Sequence, residues 1–195
     1  MGKAHVTVFC GNGKGKTSAA LGQGIFGASA GKSVIIIQFL KGKVGERIDF
    51  IKRLEPEIKV FCFEKSDVNF EALSPEEQQE EAMNIRNGLN FARKVLTTDG
   101  CDILILDEVL GLIDKGILTI EELKALIEAG DGDTELMLTG IRMYEELYPC
   151  VEDVFCIDTL KERQMYPLYG QMLRDVRKAL TSDTHCANLN IIHII

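Results

Sequence analysis

Val6-Thr7-Val8-Phe9-Cys10-Gly11-Asn12-Gly13-Lys14-Gly15-Lys16-Thr17-Ser18-Ala19-Ala20 is the stretch on which the reading of this chain turns. Residues 6–10 are mostly apolar and β-branched or aromatic, as in a short buried strand. Glycines at 11, 13 and 15 break that pattern. An Ala-rich run then reads as a helix over 17–30, closed by Gly31. A strand, a glycine turn and a helix N-terminus in this order make a place where backbone N–H groups converge on an anion. Side chains in the turn would block a β/γ-phosphate pair, and glycine removes them. Lys16 has the reach to bond phosphate oxygens, and the Thr17 hydroxyl suits Mg2+. The expected ligand is therefore a nucleoside triphosphate, ATP with Mg2+. The usual GxxxxGK[ST] spacing asks for glycine at position 10, where Cys10 stands, so this loop opens at Gly11 and is one residue shorter.

Outward from the turn, apolar runs alternate with helical patterns. Runs at 33–40, 58–63, 102–106, 135–139 and, more weakly, 154–157 read as strands. Ser74-Pro75-Glu76-Glu77 opens a long helix: Ser74 caps, Pro75 fits the first turn and Glu77 completes a capping box. Ile85, Leu89, Ala92 and Leu96 share one face of that helix, the face expected to pack on a sheet. Thr119-Ile120-Glu121-Glu122 is a second capping box, opening a helix to about 129. Short helices are expected at 45–54 and 144–148. Residues 161–180 are mostly polar-amphipathic, interrupted by Pro167 and Gly170. Strands separated by helices imply parallel pairing with right-handed crossovers. The expected fold is α/β: a P-loop NTPase-like, doubly wound, mainly parallel sheet with helices on both faces. Residues 1–195 are read as a single domain.

In such sheets ligands bind beyond the carboxyl ends of the strands. Ile103-Leu104-Ile105-Leu106-Asp107-Glu108 is an apolar strand that ends there in two carboxylates. Asp107 is expected to hold Mg2+ through water, and Glu108 to polarise a water or position a ligand. Gln38, Lys41 and Glu46 end or follow the second strand, and Thr139 and Arg142 end or follow the fifth, on the same rim. Lys41 and Arg142 have the stronger claim among these, because a triphosphate has charge to neutralise. The candidate nucleotide-binding set is thus Gly11, Asn12, Gly13, Lys14, Gly15, Lys16, Thr17, Ser18, Gln38, Lys41 and Arg142. Thr17 and Asp107 are the metal candidates, and Lys16 and Glu108 the catalytic ones.

Composition narrows the class of function. A net charge of −8 argues against broad contact with nucleic-acid backbones, which need a positive surface. A local cluster of Lys14, Lys16, Lys41 and Lys43 remains available to phosphates. No apolar run approaches the length of a membrane span and no signal peptide is visible, so a cytoplasmic protein is expected. The six cysteines, Cys10, Cys62, Cys101, Cys150, Cys156 and Cys186, contain no CxxC. They read as buried reduced thiols, with Cys10, Cys62 and Cys156 inside apolar runs.

Together these motifs resemble the P-loop corrinoid adenosyltransferases, also called cob(I)alamin adenosyltransferases. That family writes its shortened loop as GNGKGKT, followed by a small residue and Ala-Ala; Gly11–Thr17 is identical, and Ser18-Ala19-Ala20 continues it. Its QF-x-KG appears as Gln38-Phe39-Leu40-Lys41-Gly42, and its acidic strand end as Leu106-Asp107-Glu108. Lys115-Gly116-Ile117-Leu118 and Thr139-Gly140-Ile141-Arg142 follow in the family's order. The resemblance implies that cobalt(I) of a reduced corrinoid attacks the 5′ carbon of ATP and that inorganic triphosphate leaves. It also implies a homodimer, and a reductase that delivers the reduced corrinoid. This chain departs from the family pattern in having Phe26 where an arginine is usual, and Arg142 one place late. Only ten residues precede Gly11, there is no Trp, and the C-terminal pattern of the family is not recognisable in 161–180. The rival expectation is a P-loop ATPase or ATP-dependent switch acting on a protein partner.

Overall fold

The computed structural model describes residues 4–40, 51–64, 66, 68–98, 100–130 and 134–160. Met1–Thr159 is one compact unit, and Leu160–Ile195 is a second, described only at Leu160. The expectations for 161–180, for most of the short helix at 45–54, and for Lys41, Lys43, Glu46 and Cys186 lie outside the described residues.

Among the described residues six strands form one sheet: β1 (Val6–Cys10), β2 (Val34–Gln38), β3 (Ile58–Cys62), β4 (Ile103–Asp107), β5 (Glu135–Thr139) and β6 (Asp153–Cys156). Every pairing is parallel, and the order across the sheet is β3-β2-β4-β5-β1-β6. The helices are α1 (Lys16–Ser29), α2 (Pro75–Thr97), the single turn α3 (Gly111–Asp114) and α4 (Ile120–Ile127).

Side chains alternate across each strand, so the sheet builds a core on either face. One face takes Ile35 and Ile37 of β2 and Leu104 and Leu106 of β4, packed with Ile85, Leu89, Ala92 and Leu96 of α2. The other takes Val34, Ile36, Ile103 and Ile105, packed with Ala20 of α1. The four-residue apolar face read along α2 is thus the buried one. Both capping boxes form. The Ser74 hydroxyl accepts from the Glu77 N–H while the Glu77 carboxylate accepts from the Ser74 N–H, and Thr119 and Glu122 repeat this at α4. Each contributes about 1 kcal/mol by satisfying orphan N–H groups of the first turn.

Several boundaries differ for local reasons. β2 stops at Gln38 because Leu40 turns to φ +55, ending the extended run two residues later. The helix expected at 144–148 is a 3-10 segment, Glu145–Cys150, containing Pro149, which has no N–H to continue an α-helix. Within the stretch expected as a helix over 45–54, the described Lys52–Leu54 is a 3-10 turn. Among the described cysteines none forms a disulfide, and Cys10, Cys101 and Cys150 are buried. Cys62 and Cys156, expected to be buried, are exposed. Each is the last residue of a strand, β3 or β6, that stands at an edge of the sheet among the described residues. Among the described residues no helix is long and apolar enough to cross a membrane.

Candidate functional site

The turn between β1 and α1 is braced from two sides. The Gly11 N–H donates to the Ile141 carbonyl and the Gly13 N–H to the Ile157 carbonyl, both at 2.8 Å. The Asn12 N–H donates to Asp158 Oδ1 at 3.1 Å. These amides tie the loop to the chain segments that follow β5 and β6. In the second half of the loop Gly15, at φ +121, leads into α1. Unlike α2 and α4, α1 begins with no side-chain cap and with no acid in its first turn. Its N-terminal partial positive charge meets no acid within its own first turn, as suits an anion-binding terminus.

Lys16 is buried, and its Nζ donates to the carbonyls of Gly11 at 2.8 Å and Gly13 at 3.0 Å. The loop thus curls round its own ammonium group. Asp107 is the centre of a second cluster. Its Oδ1 accepts from Thr17 Oγ1 at 2.9 Å and from Thr139 Oγ1 at 2.7 Å, and its Oδ2 accepts from Gln38 Nε2 at 3.2 Å. The strand order explains the convergence. β5 lies between β1 and β4, so Thr139 at its end reaches Asp107 from one side. Gln38 is the register partner of Asp107 on the other side. Glu108 follows at φ +62, with its N–H donating to Thr139 Oγ1 at 2.8 Å.

The donor set fits Mg2+. The Thr17 hydroxyl spends its proton on Asp107, so its lone pairs could serve a cation with Asp107 behind it. Among the described residues there is no group of three His, Cys, Asp or Glu side chains able to hold a metal.

Of the residues expected at the site, the structure gathers Gly11, Asn12, Gly13, Lys14, Gly15, Lys16, Thr17 and Ser18 in the loop and first turn of α1, and Gln38, Asp107 and Glu108 on the neighbouring strand ends. Arg142 takes a different contact: it is exposed and lies over the Tyr144 ring, 5.2 Å from the centroid. The Tyr144 hydroxyl donates to Asp114 Oδ1 at 2.8 Å. Burial, and then that bond to Asp114, push its pKa up to about 12. Lys41 lies outside the described residues. The bracing by Ile141, Ile157 and Asp158 was not foreseen. Two of the three act through main-chain carbonyls, which carry no side-chain signal, and the third follows a weak strand.

The chain matches the family ATP:corrinoid adenosyltransferase BtuR/CobO/CobP over residues 2–165. It is 28% identical over 151 residues to the corrinoid adenosyltransferase CobA of Salmonella typhimurium, covering 76% of this chain and 74% of that protein. It is 26% identical over 151 residues to a corrinoid adenosyltransferase of Escherichia coli, with the same two coverages of 76% and 74%. Among solved structures, a KaiC-like protein from Pyrococcus horikoshii aligns with TM-score 0.53 and 17% identity, covering 83% of this chain and 75% of that one. At that identity the likeness speaks to the fold alone. With its shortened GNGKGKT turn seated between β1 and α1 and its Asp107-Glu108 pair at the end of β4, this chain is an enzyme of the ATP:corrinoid adenosyltransferase family.

Proposed function

We propose that the chain transfers the 5′-deoxyadenosyl group of ATP to a reduced corrinoid, and that its P-loop works by stabilising triphosphate as the leaving group. The carrying observation is the pairing of an uncapped α1 N-terminus with a buried Lys16 ammonium at the same turn. In the reaction the electron pair on cobalt(I) forms the cobalt–carbon bond, and the 5′ carbon–oxygen bond breaks toward the triphosphate. Negative charge grows on the oxygen that departs. Lys16, turning from the loop carbonyls it bonds here, and the amides at the start of α1 would stabilise that charge more in the transition state than in bound ATP. The nucleophile carries its own electron pair, so no side chain has to remove a proton from it.

Thr17 would hold Mg2+ directly and Asp107 would anchor it, the ion supplying further neutralisation of the triphosphate when bound. Gln38 orients Asp107. Glu108, held with its backbone in the left-handed region beside Asp107, is assigned to positioning a water or substrate group at the reacting end. Lys41 is retained as a phosphate contact on the sequence motif alone. Arg142 would have to leave Tyr144 to reach phosphate. Cobalt(I) is reached by reduction, so a separate reductase is the expected partner, alongside ATP and the corrinoid. The resemblance supports a homodimer and a cytoplasmic setting.

The test is incubation with ATP, Mg2+ and chemically reduced corrinoid, following the corrinoid absorption spectrum. The proposal expects ATP-dependent conversion to the alkylated form. A reduced corrinoid spectrum unchanged by enzyme and ATP would refute it.

A further inference from the structure

We propose that Thr139 is a positioning residue for the transfer: one buried hydroxyl at the end of β5 sets the aim of both Asp107 and Glu108. The inference rests on the reading of the site given under Proposed function.

Thr139 is fully buried and is the last residue of β5. Its Oγ1 lies 2.7 Å from Asp107 Oδ1 and 2.8 Å from the Glu108 nitrogen. The directions of these bonds follow from chemistry. An amide N–H can only donate and an ionised carboxylate can only accept, so the hydroxyl accepts from Glu108 and donates its single proton to Asp107. A serine could repeat this arrangement; a valine, of the same shape, could make neither bond.

The second bond matters because of where Glu108 sits. At φ +62 its backbone is in the left-handed region, which a glutamate leaves unless its surroundings hold it there. The Thr139 oxygen holds its N–H, and the Gly111 N–H holds its carbonyl at 3.1 Å. Removing the hydroxyl takes the Thr139 acceptor away from the Glu108 N–H and loosens the backbone that carries its carboxylate. Asp107 loses a donor at the same oxygen that receives the Thr17 proton, so one of the bonds that aim this oxygen is gone. The position is dictated by topology. β5 lies between the loop strand β1 and the acid strand β4, so the residue at its carboxyl end faces the gap between them.

The experiment compares Thr139→Ser, Thr139→Val and Thr139→Ala. Serine keeps the hydroxyl and loses the methyl; valine does the reverse; alanine loses both. Activity that follows the hydroxyl leaves Thr139→Ser within about threefold of wild type, and lowers kcat in Thr139→Val and Thr139→Ala by about 10–100-fold, with KM for ATP little changed. If Thr139→Val does not fold, the Ser and Ala pair carries the same contrast. Hydrogen exchange at the Glu108 amide, read by NMR without any substrate, is expected to quicken in Val and Ala but not in Ser. This readout stands even if the wild-type chain transfers nothing to a corrinoid, so the two failures are told apart. Wild-type kcat in Thr139→Val, equal losses in Ser and Ala, or unchanged exchange at Glu108 in the valine variant would each overturn the proposal.

Discussion

Replacing the loop glycines by alanine, one at a time, separates the two physical reasons for glycine at this turn. At Gly11 an added Cβ would meet the Ile157 carbonyl oxygen at 2.4 Å, and the backbone is at φ +106. At Gly13 it would meet the same oxygen at 2.6 Å and the Asp158 main chain at 2.9 Å. At Gly15 the backbone is at φ +121, but nothing lies within 4 Å. Ordinary Cβ contacts begin near 3.4 Å, so alanine at 11 forces the chain beyond β6 back by about an ångström. That retreat strains two hydrogen bonds of 2.8 Å, from the Gly13 N–H to Ile157 and from the Ile157 N–H to Cys10. Overpacking costs about 1–3 kcal/mol and a strained backbone about 1–3 kcal/mol. Gly11→Ala carries both penalties and should lose about 4 kcal/mol. Gly13→Ala should lose about 2 kcal/mol from the clash, and Gly15→Ala about 1–2 kcal/mol from backbone strain alone. Urea unfolding measures these losses, and titration calorimetry measures ATP binding in parallel. Gly15 precedes the α1 N-terminus, so its alanine variant should lose ATP affinity out of proportion to its small loss of stability. Equal destabilisation at 11 and 15, or a neutral Gly11→Ala, would refute the reasoning.

Lys16→Ala is expected to weaken ATP binding by about 10–100-fold, the value of one charge-assisted contact, as read by calorimetry; unchanged affinity would contradict the assignment. Glu108→Gln should lower turnover more than ATP binding in steady-state kinetics, and equal loss of both would argue against a role in the transition state. Stability should fall in acid. Glu77 is held below the usual carboxylate range by the Ser74 amide and then its hydroxyl, Glu122 by the Thr119 amide and then Arg86, and Asp102 by the Ser33 hydroxyl and then its amide. Their folded values lie below the unfolded ones, so the stabilisation is complete above about pH 5 and is lost as pH drops through and below the usual range near 4. Urea midpoints that stay flat from neutral pH down to about pH 3 would contradict this.

What the sequence disclosed follows the range of the forces involved. The glycine turn, the two capping boxes and the apolar face of α2 are local patterns, complete within a few turns of chain, and each stands where it was read. The strand order is different. Nothing in residues 102–139 says that β5 will separate β1 from β4, because that choice is made by packing between distant segments. The cluster of Thr17, Gln38 and Thr139 around Asp107 depends on it, so Thr139 could be placed on the rim but not given a task. The exposure of Cys62 and Cys156 was hidden for the same reason: an apolar run does not reveal whether its strand will be central or at an edge. Arg142, placed on the rim by its charge, has its guanidinium over the Tyr144 ring, a contact that no local pattern announces.

The central claim is that the P-loop holds triphosphate as a leaving group and not as a hydrolytic substrate. Phosphorus NMR of the products, after reaction of ATP with reduced corrinoid, tests it most directly. The account predicts intact inorganic triphosphate in step with alkylated corrinoid, and no turnover of ATP when the corrinoid is omitted. Orthophosphate and ADP, formed whether or not corrinoid is present, would contradict it.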